Sequence, residues 1–242
     1  MNKNHLLILL LFLTFNGLSQ SFDKLKFNPE ITPIEKSVTI DTIGVQIRSF
    51  TGGELMNDIL QFEDIQYLKI EFEACKVIGK RFEIQAKEIW NGEIKETNNV
   101  YKSSVITENY FFNNDTSSLP IRVIAKHLND TILKTRFRFP KLSKDYECKA
   151  INSNQYKLRS AIDETNMRTY ESRKDSKHSL AMEVNASIIS QEWQPLLVYM
   201  LPFEMNGAHW WGNLSVCGKD VESWGAKFGI EHYVIFEICF KE

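Results

Sequence analysis

Apolar and polar residues alternate along much of the first half of this 242-residue chain, and this pattern constrains the fold more than any other feature. In the segment Gln66–Lys76 the two kinds of residue fall on opposite sides of an extended backbone: Leu68, Ile70, Phe72 and Ala74 on one side, and Lys69, Glu71 and Glu73 on the other. A period of two residues is typical of a strand with one buried face. Such strands are stable only when they pair, so we expect antiparallel sheets.

The dipeptide Asn91-Gly92 predicts a β-hairpin, because Asn-Gly is the preferred pair for a two-residue type I′ turn. A turn at this position sets the register of the two strands. It predicts two opposite-charge pairs and an Ile–Ile pair close to the turn: Trp90–Glu93, Ile89–Ile94, Glu88–Lys95 and Lys87–Glu96.

The segment Ile121–Phe139 predicts a second hairpin, with a three-residue loop at Asn129–Thr131. This register places the apolar residues and His127 on one face, since a slip of one residue would invert every side chain. The opposite face then collects five cations: Arg122, Lys126, Lys134, Arg136 and Arg138. Like charges directly opposite each other are unfavourable. Either acidic neighbours such as Glu71 and Glu73 neutralise these cations, or the face binds an anionic ligand such as a sulfated or carboxylated glycan.

Strand patterns recur about every ten residues, which is typical of an antiparallel β-sandwich of immunoglobulin-like architecture. The predicted strands of the first half are 38–50, 67–76, 82–90, 93–101, 104–112, 121–128 and 132–139. A capping box at Thr51 and Glu54 predicts a short helix near 53–61.

The segment Pro140–Lys144 indicates a boundary, so we divide the mature chain into a sandwich-like domain, 20–140, and a second part, 141–242. The second part is either a separate β-rich or α+β module or a continuation of the same sheets. We expect a solvated loop at Asp163–Lys177 and strands at Tyr156–Ile162, Leu180–Ile189, Leu196–Phe203 and Tyr233–Phe240.

The first 19 residues have the features of a secretory signal peptide. Lys3 precedes the apolar segment Leu6–Phe15, and the small residues Gly17 and Ser19 follow it. This apolar segment spans only about 15 Å as a helix, half of the hydrocarbon core of a bilayer. We therefore expect cleavage after Ser19, export to the periplasm or the extracellular space, and a soluble mature chain with no transmembrane segment.

Composition excludes several classes of partner and site. The net charge of −2 gives no attraction to nucleic acid. The spacing of the four cysteines matches no standard zinc pattern, so we expect no metal and no cofactor. In an oxidising compartment these cysteines allow three disulfide pairings, which the sequence leaves open: they are Cys75, Cys148, Cys217 and Cys239.

The segment 204–229 is rich in glycine and tryptophan and is the candidate contact surface. If Trp210 and Trp211 are extended, their indoles point to opposite faces, so at least one of them is partly exposed. An exposed Trp suits stacking on a sugar or anchoring a protein partner. The alternative is that both are buried. The candidate ligand-binding residues are His209, Trp210, Trp211, Asn213 and Trp224.

These observations leave three hypotheses on function. The first is an exported binding protein for a glycan or a protein. The second is an exported hydrolase of glycans or peptides, with Glu204 or Asp220 as acid or base near His209. The third is a structural component of the cell envelope whose sheet edges pair with partner strands. The chain contains no G-x-S-x-G, H-E-x-x-H, Walker A or G-x-G-x-x-G motif, so no catalytic residues follow from motifs.

Overall fold

Strands with the predicted alternation form most of the structure. The structure, a computed structural model, describes residues 41–49, 53–108, 118–162, 166–171, 180–212 and 214–242, with backbone alone for 166–171, 180–185, 215 and 216. The strands in these residues are β1 Thr42–Ser49, β2 Gln66–Glu73, β3 Arg81–Trp90, β4 Glu93–Lys102, β5 Ser118–Asn129, β6 Ile132–Arg138, β7 Ser143–Lys149, β8 Lys157–Ser160, β9 Asn166–Glu171, β10 Leu180–Ile189, β11 Gln194–Met200, β12 Phe203–Met205, β13 Ala208–Trp210 and β14 His232–Lys241. The helices are α1 Glu54–Phe62, α2 Ala74–Val77, α3 Leu214–Cys217 and α4 Trp224–Phe228, with a 3₁₀ turn at Val221–Ser223.

The strands form two large antiparallel sheets. One has seven strands in the order β7-β6-β5-β2-β1-β10-β9, and the other has five in the order β4-β3-β14-β11-β8. The two sheets pack face to face, and aromatic side chains lie between them. The ring centroids of Phe72 in β2 and Phe240 in β14 are 5.1 Å apart, as are those of Phe137 in β6 and Phe236 in β14. The predicted mainly β, antiparallel sandwich is therefore confirmed, while its immunoglobulin-like detail stays a prediction.

Strands from both halves of the chain share each large sheet. The C-terminal strand β14 pairs with β3, and β10 pairs with β1. The described residues, from 41 onward, belong to one compact unit. The second half thus continues the sheets of the first, which is one of the two arrangements expected from the sequence. The predicted boundary at residue 140 does not separate two sheets, because β7, which follows it, pairs with β6, which precedes it.

The first hairpin turns at Asn91 and Gly92 as predicted, with φ of 51° and 81°. Trp90 lies opposite Glu93 and Ile89 opposite Ile94, but the register then shifts by one residue. The predicted pairs Glu88–Lys95 and Lys87–Glu96 are therefore wrong. A bulge at Lys95 places Glu88 opposite Glu96, and the Lys95 ammonium pairs with Glu93 of its own strand.

The second hairpin has the predicted register from His127–Leu133 to Arg122–Arg138. Its turn is tighter than expected, since Asn129 pairs with Ile132 and the extra residue forms a bulge at Leu128. The apolar face is buried as predicted and holds Ile121, Val123, Ala125, Leu133 and Phe137.

Other local predictions have mixed outcomes. The short helix is present as α1, but Gly53 is its N-cap and makes no side-chain capping bond, and Thr51 lies outside the described residues. Residues 104–108 of the predicted strand 104–112 are not in a strand, and 109–112 lie outside the described residues. Strand β9 occupies part of the predicted loop Asp163–Lys177. The predicted signal peptide also lies outside the described residues.

The space between the sheets changes character along β3. Every second residue of β3 faces inward, and Phe82, Ile84 and Ala86 are fully buried there among other apolar side chains. The next two inward positions are Glu88 and Trp90. The neighbouring strand β14 changes at the same level, where His232 pairs with Trp90. One end of the sandwich is thus an apolar core, and the other end holds buried polar groups.

Candidate functional site

A cleft of about 710 Å³ opens at the polar end, between the edge strands β4 and β7. We call it the Glu88 cleft. Its lining comes from the inner faces of both sheets, because β3 and β4 supply one wall and β7 supplies the other. The residues that line the cleft include Glu88, Trp90, Glu96, Tyr146 and Cys148, together with Lys95, Glu147 and Lys149.

Glu88 is the polar centre of this cleft and is only 7% exposed. Its Oε1 accepts a hydrogen bond of 2.5 Å from Nε1 of Trp90, two residues along the same strand face. The same oxygen lies 3.8 Å from Nε2 of His232. The Trp90 and His232 rings pack together with centroids 4.1 Å apart. The carboxylate is therefore held in one position by its neighbours, as a pre-organised recognition group would be.

His232 lies fully buried behind Glu88 and is held in the neutral state. Burial, and secondarily the nearby His127, lowers the pKa of His232 from 6.5 to about 4. Its Nδ1 lies 2.6 Å from the hydroxyl of Tyr156, which accepts a hydrogen bond from the Ile151 amide at 3.3 Å. The Tyr156 hydroxyl and Nδ1 thus share a short hydrogen bond whose donor depends on the imidazole tautomer, and Nε2 lies on the Glu88 side of the ring.

Tyr146 and Cys148 form the β7 wall of the cleft. Burial raises the pKa of the Cys148 thiol, and the charges of Glu88 and Glu96 raise it further. Burial likewise raises the pKa of Tyr146. Cys148 is thus a protonated thiol at neutral pH and not an activated nucleophile. This wall can bind and shape a ligand, but it does not supply a thiolate.

The sequence-predicted contact surface lies elsewhere, at the small sheet of β12 and β13. Glu204 and His209 lie directly opposite each other there, and both line a pocket of about 410 Å³. We call this the hairpin pocket. Trp210 is 44% exposed, whereas Trp211 is half-buried and its Nε1 donates to the Gln155 carbonyl at 2.7 Å. At least one of the two indoles is therefore partly exposed, as expected, and the alternative that both are buried is wrong.

One of the candidate ligand residues, Trp224, is not available at that surface. Trp224 is fully buried, and its Nε1 donates to the Gly218 carbonyl at 3.0 Å. Its ring packs so closely on Gly212 that an added Cβ there would come within 2.5 Å of it. Trp224 is therefore a core residue and cannot contact a surface ligand. Asn213 lies outside the described residues.

The predicted basic face of β5 and β6 is largely neutralised by acidic neighbours. Lys134 pairs with Asp145 at 2.9 Å and with Glu147 at 2.7 Å, and Arg136 forms a bidentate pair with Asp145. Lys126 lies 3.4 Å from Glu63.

The neutralising residues differ from those predicted. Glu71 pairs with Lys69 and Arg48, and Glu73 accepts from the Gly44 amide. Only Arg122 and Arg138 of the five cations have no ion pair within the described residues. These contacts favour the acidic-neighbour explanation over an anion site.

Several further findings bear on function. None of the four cysteines, all of them in the described part of the chain, forms a disulfide. Over the same residues, no group of three or more His, Cys, Asp or Glu side chains could hold a metal ion. No described helix is long and apolar enough to cross a membrane. Comparison of the chain with protein-family models, curated proteins and solved structures gives no match.

Proposed function

We propose that this protein is an exported binding protein that holds a small polar ligand in the Glu88 cleft. The observation that carries the proposal is a nearly buried carboxylate, Glu88, on a strand face whose preceding inward residues, Phe82, Ile84 and Ala86, all belong to the core. The cleft volume of about 710 Å³ suits a small molecule such as a mono- or disaccharide. A volume of this size supports a small ligand more than a protein surface.

The polar end has an energetic cost that a purely structural role leaves unexplained. Burying Glu88 and His232 removes their hydration, and apolar residues of similar volume would give a more stable sandwich. Residues that lower stability in this way are typical of functional sites. This favours binding over a structural envelope component.

The place of action is part of the same proposal. It rests on the secretory leader predicted at residues 1–19, with cleavage after Ser19 and a destination in the periplasm or outside the cell. Detection of a mature N-terminus at Gln20 in the exported fraction tests it.

A ligand screen by thermal shift tests the binding proposal. Ligands that bind only the native state raise the melting temperature in a concentration-dependent way. We expect a small sugar or polar metabolite to do so, and we expect the Glu88→Gln variant to lose the shift while it stays folded, since its amide oxygen still accepts from Trp90. Trp211→Phe, beside the hairpin pocket, is the matched control and retains the shift. Loss of the shift in Trp211→Phe with retention in Glu88→Gln would contradict the proposal.

A second candidate function, glycan hydrolysis, is favoured by one observation. Glu88 and Glu96 lie directly opposite each other on β3 and β4 and both line the cleft. Side chains in that relation are about 5 Å apart at Cβ, so their carboxyl groups can reach the separation of about 5–5.5 Å that retaining glycosidases use. In this version the pair replaces Glu204 and Asp220 as candidate acid and base. Release of reducing sugar that both Glu88→Gln and Glu96→Gln abolish would support hydrolysis, and binding without turnover would exclude it.

A further inference from the structure

The carboxylates of Glu88 and Glu96 form a like-charge pair that has no ion-paired cation among the described residues. They are direct cross-strand neighbours facing the same cleft, a relation that is unfavourable for two negative groups. No Lys or Arg in the described residues lies within 4.0 Å of either carboxylate. The imidazole nearest Glu88, that of His232, is neutral and offers no charge.

The other charged groups at the cleft do not change this balance. Lys95 pairs with Glu93, and Glu147 pairs with Lys134. Lys149 is exposed and also lines the cleft, but within the described residues it forms no ion pair with Glu88 or Glu96. The negative charge is also felt at the β7 wall. Burial is the main cause of the raised pKa of Cys148, and the charges of Glu88 and Glu96 are the next causes. The interior of the cleft is therefore negative.

The remaining walls match the chemistry of an organic cation. Trp90 and Tyr146 present aromatic rings to the cleft, and aromatic rings attract ammonium groups through their quadrupole. A metal ion fits less well, because the described residues contain no third carboxylate, His or Cys placed to complete its coordination.

We propose that the ligand of the Glu88 cleft carries an organic ammonium group, which lies between Glu88 and Glu96 with its carbon substituents against Trp90 and Tyr146. This inference rests on the proposed binding function and names its ligand class. A proton shared by the two carboxylates is the other way to relieve their repulsion, and it would leave the cleft without affinity for cations.

Calorimetric titration with a matched pair of probes tests the inference. Choline and 3,3-dimethyl-1-butanol have the same shape, but only choline is charged. We expect choline to bind, with the neutral analogue weaker by about tenfold or more. Glu96→Gln should weaken choline binding by about fivefold and Glu88→Gln by at least as much. Glu83→Gln is the matched control, because Glu83 lies on the opposite face of β3, is paired with Lys241 and does not line the cleft; it should change the affinity by less than about twofold.

The outcomes separate the inference from the function on which it rests. Equal binding of the two probes, or tighter binding of the neutral one, would overturn the cation assignment and leave the binding function in place. The same holds if neither probe binds but a neutral sugar shifts the melting temperature through Glu88. If no cationic, neutral or anionic small molecule binds at the cleft, both proposals fail.

Discussion

The hydroxyl of Tyr156 lies 2.6 Å from Nδ1 of His232, and both side chains are fully buried between the sheets. Tyr156 comes just before β8, and His232 is the first residue of β14. This bond fixes the imidazole behind Glu88 and so joins the fold to the candidate site. Its strength can be measured separately from any ligand.

Removal of the Tyr156 hydroxyl should destabilise the fold. Tyr156→Phe leaves Nδ1 of His232 and the Ile151 amide without their buried partner, which costs about 1–3 kcal/mol in the free energy of unfolding. Tyr199→Phe is the control, because the buried Tyr199 hydroxyl has no hydrogen-bond partner in the described residues and its loss should cost little. Urea unfolding measures both. Equal losses would mean that the Tyr156–His232 bond has no special role.

Acid should weaken the fold through His232. Its pKa is about 4 in the folded state and 6.5 when exposed, so the unfolded chain binds the proton more readily. The stability that depends on a neutral His232 is complete above pH 6.5 and is lost as the pH falls toward 4. Between pH 7 and pH 5, the wild type should lose about 2 kcal/mol more than His232→Asn, whose side-chain amide can either accept from or donate to Tyr156 and does not titrate. The same pH dependence in both proteins would contradict this.

The turn of the first hairpin should not accept a side chain. A Cβ on Gly92 would come within 2.7 Å of the Ala226 backbone nitrogen, and the φ of 81° is unfavourable for other residues. Gly79 has a φ of 87° but open space around it, so Gly79→Ala measures the conformational cost alone, about 1 kcal/mol. Gly92→Ala should cost about 1–3 kcal/mol more, by chemical denaturation. Equal costs would show that the turn does not pack on α4.

We expect acidic neighbours, and not a bound anion, to neutralise the basic face of β5 and β6. The double variant Asp145→Asn, Glu147→Gln removes the partners of Lys134 and Arg136. It should elute from a heparin column at higher salt than the wild type, because the cations become available to sulfates. Glu54→Gln, Asp58→Asn on the exposed helix α1 makes the same change in net charge and serves as the control. Strong retention of the wild type itself would restore the anion-site hypothesis.

Local patterns were sufficient to predict most of the long strands and the positions of both hairpin turns. They missed β7, β9 and the small strands β12 and β13, and they predicted a strand at 104–112 that residues 104–108 do not form. The alternation in Gln66–Lys76 and the Asn91-Gly92 turn depend on neighbouring residues alone. Charge pairing failed to fix the first register beyond Ile94, since exposed ion pairs contribute too little to set it. The predicted partner of Glu88 was therefore wrong, and its inward position was missed.

The site could not be assembled from the sequence because its parts meet through long-range pairing. Glu88 and His232 become neighbours only when β14 pairs with β3. One signal was present: Glu88 continues the inward series Phe82, Ile84, Ala86, so a carboxylate stands where an apolar residue is expected. The Trp-rich segment gave a stronger compositional signal, yet Trp224 is a core residue.

The indole N–H resonances of three tryptophans test the central claim most directly. Nε1 of Trp90 donates to Glu88 in the cleft, Nε1 of Trp211 donates to Gln155 beside the hairpin pocket, and Nε1 of Trp224 donates to Gly218 in the core. In an NMR titration with a small ligand that binds the protein, we expect the chemical shift of the Trp90 indole N–H to change saturably with ligand concentration. The chemical shifts of Trp211 and Trp224 should stay constant. Movement of Trp211 with an unchanged Trp90 would place binding at the hairpin pocket and contradict the account.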